Sequence, residues 1–304
     1  MSIVEKAVEK LKTLQPQEPV RRRIEPAFEP PASSASPVPT VERMQDRVRV
    51  MHAAIEATPV WHVNPADLKR AGLLPAEDEA AHRLADELRR IKRPLLANIT
   101  GKGVKAVVNG QRIMVASAIP GEGKTFTSFN LAMSLARELD FEVLLVDGDI
   151  PKSDITRILK LDSRPGLMDV LADERRQPSE VIVRTEVPNL LVVPVGQRSP
   201  LAAEFFGSRR MEYVLHEFAG QGQRRLMLFD SSPLLATSEA PILASHMGQI
   251  IVVVAAGSTG QQTVKSALQT LDSSKCISFI LNMSRLPSSE GYYDSYYHHY
   301  SKDR

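Results

Sequence analysis

The residues with the clearest chemical purpose lie between Met114 and Thr125, Met-Val-Ala-Ser-Ala-Ile-Pro-Gly-Glu-Gly-Lys-Thr. A short apolar run ends at Pro120-Gly121, and a helical pattern begins after Gly123-Lys124-Thr125. The spelling G/A-x-x-x-x-G-K-S/T, with Ala118 in first place, is that of a phosphate-binding loop. Gly121 and Gly123 let backbone N–H groups turn inward around phosphate oxygens. The helix that starts here aims its unpaired N–H groups at the same anion. Lys124 is long enough to reach β- and γ-phosphates, and the Thr125 hydroxyl suits a hard cation such as Mg²⁺. The competing reading is a glycine turn that happens to carry a surface lysine.

Two further groups of carboxylates follow apolar runs. Val143-Leu-Leu-Val-Asp147-Gly-Asp149 carries two aspartates just past one run, and Leu226-Met-Leu-Phe-Asp230-Ser-Ser-Pro233 carries one past another. In an open α/β sheet, ligands gather at the carboxyl ends of strands. Asp230 therefore reads as a carboxylate that holds Mg²⁺ through water. An aspartate after a strand is also an ordinary turn residue, so each gains weight only beside the loop.

The elements needed to position these groups are visible as a rhythm. Strands are expected near 113–117, 142–147, 189–194, 226–230, 249–255 and 276–282, and helices near 124–139, 153–160, 167–172, 201–218, 237–245 and 260–272. Alternation of this kind implies an α/β domain with a mostly parallel sheet covered on both faces. Near-continuous apolar strands such as Val143 to Val146 and Ile250 to Val254 fit, because they are buried on both sides. Ahead of this domain, a helix is expected from about Glu77 to Leu95, ending at Pro94. Leu84, Leu88, Ile91 and Leu95 form its inward stripe, and Glu87, Arg90 and Arg93 project from a more polar face.

The termini are different in kind. Val4, Ala7, Val8, Leu11 and Leu14 are spaced as a short amphipathic helix over residues 1–15, and residues 16–75 read as a Pro-rich linker followed by weakly structured chain with a possible short helix near Val41 to Ile55. Seven of the 21 prolines fall in residues 16–39. The main domain is expected over 76–286, and 287–304 is a polar tail read as disordered. Five of the six tyrosines, Tyr292, Tyr293, Tyr296, Tyr297 and Tyr300, lie within nine residues of it. Their neighbours are Ser, Asp and His, so there is little apolar surface for the rings to bury against. His298 and His299 lack a third ligand at metal-binding spacing.

Bulk composition narrows the class. Lys+Arg 38 against Asp+Glu 36 leaves a net charge of +2, which is no footprint for nucleic acid. The single cysteine, Cys276, excludes a disulfide framework and any C-x-x-C pair. The longest apolar run, Ile250 to Ala256, is too short to span a bilayer, and the polar start is unlike a signal peptide. A soluble cytoplasmic protein is expected.

Taken together, these motifs resemble the bacterial tyrosine kinases that accompany exopolysaccharide and capsule systems. Those are P-loop NTPases related to cell-division-site and chromosome-partitioning ATPases. The likeness rests on Ser117–Thr125 as Walker A, Val143–Asp149 as Walker A′ and Phe229–Pro233 as Walker B. It also rests on Glu87-Leu-Arg-Arg90-Ile-Lys-Arg93 as an E-x-x-R-x-x-R helix and on the tyrosine cluster. The set, with Ile91-Lys-Arg-Pro-Leu95, is most similar to the soluble autokinases found with exosortase-type loci.

The resemblance implies the following roles. ATP phosphates would be held by the segment Gly121, Glu122, Gly123, Lys124, Thr125 and Phe126, with Mg²⁺ organised by Thr125, Asp147 and Asp230. Asp147 or Asp149 would help deprotonate an incoming tyrosine, and Asn282 would contact adenine. Glu87, Arg90 and Arg93 would lie at the subunit interface of a ring in which one tail enters the next subunit's site. A separate membrane-embedded polysaccharide co-polymerase would be the activating partner, holding the protein at the inner face of the membrane. Two positions depart from the family pattern: Pro151, followed by Lys152, replaces the usual A′ arginine, and Ser232 replaces the first Walker B proline. The alternative reading is a nucleotide-switched positioning or partitioning ATPase acting as a dimeric binding module. Its second loop lysine is absent, since Ala118-Ile119 stands there.

Overall fold

In the computed structural model the described residues are 59–75, 77–220 and 225–284. The expected N-terminal helix, the Pro-rich linker, the possible helix at Val41 to Ile55 and the tyrosine tail lie outside them.

Seven strands form one sheet in the order β3-β4-β2-β5-β1-β6-β7. They are β1 Arg112–Ser117, β2 Glu142–Gly148, β3 Val183–Arg184, β4 Leu190–Val193, β5 Arg225–Ser231, β6 Gln249–Ala255 and β7 Cys276–Asn282. All neighbours are parallel except β3, a two-residue edge strand antiparallel to β4. The sequence rhythm anticipates six of these strands and misses β3, which is too short to show a period.

Side chains alternate between two cores, as the pleat requires. On β1, Ile113 and Val115 pack with Phe129, Leu131 and Leu135 of the helix Lys124–Leu135. Met114 and Ala116 face Phe206, Met211 and Phe218 on the opposite side. The sheet is therefore covered on both faces, and the strands that carry the motifs are buried apart from the half-buried Arg112 and Glu142 that begin β1 and β2.

The helices expected over 124–139 and 260–272 end about a turn early, at Leu135 and Leu268, and two others differ more. The helix Asp78–Thr100 passes through Pro94 and ends at Gly101, which adopts φ +70°. Pro94 has no N–H for the carbonyl four residues back, yet the helix continues through it, with tertiary contacts on either side. Leu88 and Leu95 are buried, Lys92 pairs with Glu138 at 2.5 Å and donates to the Ser134 carbonyl, and Asn98 donates to Gln249. The segment expected as one helix over 201–218 is two, Ala202–Phe206 and Arg209–Phe218. It breaks at Gly207-Ser208, where the Ser208 hydroxyl caps the second by accepting from the Met211 N–H.

Residues 59–75 pack on the domain as a strap. Trp61 makes a parallel bridge to Thr185 beside β3, and its indole N–H donates to the Leu159 carbonyl at 2.8 Å. Asn64 caps the short helix Pro65–Arg70, and Leu68 and Leu73 are buried. Asn130 on the loop helix donates to the Leu73 carbonyl at 2.7 Å. This brings Ala71–Leu73 to the rim of the phosphate-binding loop.

Candidate active site

In a parallel sheet every strand delivers its C-terminal residue to the same edge. Here that edge carries Ser117, Asp147, Asp230, Ala255 and Asn282. The loop after β1 turns at Gly121 (φ +88°) and Gly123 (φ +91°), and Lys124 opens the helix. A side chain at Gly123 would be blocked twice. The positive φ disfavours an L residue, and a Cβ would stand 2.1 Å from Asn282 Nδ2. Asn282 instead donates to the Glu122 carbonyl at 2.9 Å.

Register brings the acids together. Asp147 on β2 pairs directly with Asp230 on β5, so both carboxylates face the loop helix. Thr125 and Ser128 each donate a hydroxyl to Asp230, at 2.8 and 2.9 Å. Asp147 accepts the Thr156 N–H at 2.8 Å and hydroxyl at 2.6 Å, and the same hydroxyl accepts the Val195 N–H. Asp149 accepts from Ser232 at 3.0 Å and from the Lys152 N–H at 3.4 Å.

The electrostatics are those of a site short of positive charge. Burial pushes Asp230 up to about 7, helped by the neighbouring Asp147 charge and opposed by Lys124 and the two hydroxyls. Burial raises Asp147 to about 6, against the Thr156 hydrogen bonds, and raises Asp149 against the pull of Lys124. Lys124, 5% exposed, is itself lowered by burial and partly restored by Asp230 and Asp149. Lys124 thus faces two of the buried acids, Asp230 and Asp149, while Asp147 rests on its Thr156 hydrogen bonds.

That deficit is the test of whether Mg²⁺ fits. No group of three or more His, Cys, Asp or Glu is arranged to enclose an ion among the described residues. Mg²⁺ does not need one, because it is usually held by one or two carboxylates, a hydroxyl, waters and substrate phosphates. The Thr125 hydroxyl beside Asp230, next to Asp147, is that donor set.

Above the loop lies an open cleft of about 350 Å³, walled by Gly121, Gly123, Lys124, Thr125, Phe126 and Asp149 on one side. The strap residues Ala71–Leu73, with Lys152, Asp154, Arg157 and Ile158, form the rest. Of the residues named from sequence, Lys124, Thr125, Asp147, Asp149, Asp230 and Asn282 therefore converge. Glu122 is at the loop, but its carboxylate is turned away from the cleft towards Ile119 and Thr259. Glu87, Arg90 and Arg93 are exposed on their helix, and none of them lines the cleft.

Sequence reasoning overlooks Ser128, Thr156, Arg157 and the strap. Ser128 was findable, one helical turn past Lys124 and on the same side. Thr156 carries no signal of its own, since only the fold brings it to Asp147. The Ser232 departure gains a reason here, because its hydroxyl holds Asp149, a bond that proline could not make.

Comparison with known proteins bears on family and fold. A family model described as an AAA domain matches residues 110–277, more than half of the chain. The tyrosine-protein kinase YwqD of Bacillus subtilis is 31% identical over 185 residues, which cover 60% of this chain and 76% of that protein. The chain belongs to the bacterial tyrosine-kinase family. The tyrosine-protein kinase ptk of Acinetobacter johnsonii is 29% identical over 59% of this chain, but that stretch spans only 24% of its length. Among solved structures, the kinase domain of the Escherichia coli tyrosine kinase ETK superposes with a TM-score of 0.51 at 26% identity, covering 58% of this chain and 69% of that one. The family is one of nucleotide-binding P-loop proteins, and the seven-stranded, mostly parallel sheet is its fold. No helix among the described residues is long and apolar enough to cross a membrane.

Proposed function

We propose that this chain transfers the γ-phosphoryl group of ATP to the tyrosines of its own tail, Tyr292, Tyr293, Tyr296, Tyr297 and Tyr300. The observation that carries this reading is an open cleft walled by the loop glycines, Lys124, Thr125 and Asp149, with Asp230, beside Asp147 in the sheet, holding the Thr125 hydroxyl. In such a transfer the tyrosyl oxygen bonds to the γ-phosphorus while the bond from the γ-phosphorus to the β-bridging oxygen breaks. Little covalent chemistry is asked of the protein, which must position the groups and neutralise charge.

Lys124 and the loop amides bind the β- and γ-phosphates. Thr125, Asp147 and Asp230 hold Mg²⁺, which when bound neutralises charge on those phosphates. Asp149 is the better placed acid for accepting the tyrosine proton, because it lines the cleft whereas Asp147 is fully buried and engaged by Thr156. Lys152, on the cleft wall within electrostatic reach of Asp149, takes the place of the missing A′ arginine, with Arg157 beside it. Asn282 stands at the loop where a base could be contacted.

The exposed Glu87, Arg90 and Arg93 belong to a ring interface that presents one subunit's tail to the next. Regulation of exopolysaccharide synthesis or export, through a separate membrane-embedded co-polymerase that draws the protein to the membrane, completes the reading.

Purified protein given ATP and Mg²⁺ should acquire phosphotyrosine, detected by antibody and mapped by mass spectrometry. Lys124→Ala should abolish it, and Phe at all five tail tyrosines should remove most of the label while ATP binding persists. Equal labelling in the Lys124→Ala protein refutes the assignment.

A further inference from the structure

Glu122 sits in the middle of the phosphate-binding loop, yet its side chain is 1% exposed and serves the loop, not the cleft. One carboxylate oxygen accepts the Ile119 N–H at 2.8 Å, closing the first half of the loop on itself. The other accepts the Thr259 hydroxyl at 2.5 Å and the Ala255 N–H at 3.4 Å. The carbonyl of the same residue accepts from Asn282. Ala255 ends β6 and Asn282 ends β7, so a single residue ties the loop to the last two strands of the sheet.

The loop needs such a tie. Gly121 and Gly123 flank Glu122, both at positive φ, and glycines leave the backbone on either side free to turn. Of the other anchors, Thr125 and Ser128 on Asp230 lie past the start of the helix, and the N–H groups of Leu234 and Leu235 hold the Ser117 and Ala118 carbonyls before the turn, so none of these reaches the Gly121–Glu122 corner. A buried carboxylate with three donors aimed at it is well satisfied without a cation, since hydrogen bonds to an ionised acceptor are the strong ones.

We infer that Glu122 is a positioning residue. It latches the phosphate-binding loop to the segment Ala255–Gly260, so that nucleotide affinity depends on Thr259, a side chain held on the far side of the loop. This deepens the ATP-site reading above and rests on it. A cradle already fixed in its binding shape spends less of the binding free energy on ordering itself. Glutamine at 122 would offer one acceptor where two are used, and its amide N–H₂ would confront a backbone N–H. Valine at 259 would keep the shape and remove only the hydroxyl. Serine would restore it.

Calorimetric titration of the full chain with Mg·ATP tests the latch. Glu122→Gln should weaken binding about tenfold and Thr259→Val several-fold, while Thr259→Ser stays near wild type. The double variant should be little worse than Glu122→Gln alone, because both remove the same bond. In tail labelling, KM for ATP should rise with kcat unchanged, as for lost uniform binding. A purely structural strut would lower the melting temperature and leave affinity alone. Wild-type affinity in both single variants, or effects that multiply in the double, overturns the inference. Should Glu122→Gln fail to fold, the Thr259→Val and Thr259→Ser pair decides it. A wild-type protein that does not bind ATP at all would instead defeat the ATP-site reading, which is a separate and recognisable outcome.

Discussion

Replacing Asp230 by asparagine should make the nucleotide-free protein more stable while ending its phosphotransfer. Asp230 is fully buried, and its surroundings move it from 3.8 to about 7. At 1.36 kcal/mol per pKa unit, holding that carboxylate ionised in the fold costs ~4 kcal/mol relative to its neutral form. Asparagine copies the neutral form in shape. It keeps one acceptor, and the Thr125 and Ser128 hydroxyls can rotate to accept from its amide. The pull of Lys124 is already contained in that figure, and the poorer match of an amide to two hydroxyl donors takes back about 1–2 kcal/mol, so the net gain at pH 8 should be about 2–3 kcal/mol. The sign follows from linkage. The folded protein binds the extra proton, so wild-type stability is greatest below about pH 4 on this account and falls as pH rises towards 7. The advantage of the variant should therefore be small at pH 5 and full at pH 8. Thermal unfolding in EDTA at both values reads it out, with a melting shift of about 5–10 °C at pH 8. Adding Mg²⁺ and ATP should stabilise the wild type and not the variant. An Asp230→Asn protein less stable than wild type at pH 8 would refute the claim that this site lacks positive charge.

Gly123→Ala should cost about 2–3 kcal/mol, from the unfavourable φ and from pushing Asn282 off the Glu122 carbonyl, and should weaken nucleotide binding alongside the melting temperature. Pro94→Ala should stabilise by about 1–3 kcal/mol in denaturant titration, because it restores the missing helical donor at an exposed position. Changing Glu87, Arg90 and Arg93 together to Ala should leave monomer stability within about 0.5 kcal/mol, since these side chains are exposed. The same change should shift light scattering from ring to smaller species, and an unaltered oligomer would reject the ring.

The sheet was legible because its strands are short, apolar and separated by helical patterns, and the loop because its glycines and lysine have a spelling. Elements below the length of a period were not legible, which is why β3 escaped notice. Pro94 misled because local propensity favours a stop there, while Leu95, Lys92 and Asn98 gain more from packing than the lost hydrogen bond costs. The acids could be named one at a time, but not their mutual arrangement. Only the fold buries Asp147 and Asp230 side by side, which is what raises them, and only the fold brings Thr156 to Asp147 and Ser232 to Asp149. The turning away of Glu122 had no sequence signal, since a loop motif fixes backbone and not the direction of its one free side chain.

The order of strands also bears on how the chain is made. Met114 in the middle of β1 lies between Phe229 and Ile250, so the strand that leads into the loop is synthesised long before either neighbour exists. Until β5 and β6 leave the ribosome, β1 carries two bare edges, and its apolar side chains have only part of their cover. A nascent chain halted before Arg225 would hold the whole lysine loop yet none of the scaffold that shapes it, and would be prone to aggregate. Competence to hold a nucleotide thus waits on strands that lie about a hundred residues further along the chain than the loop itself.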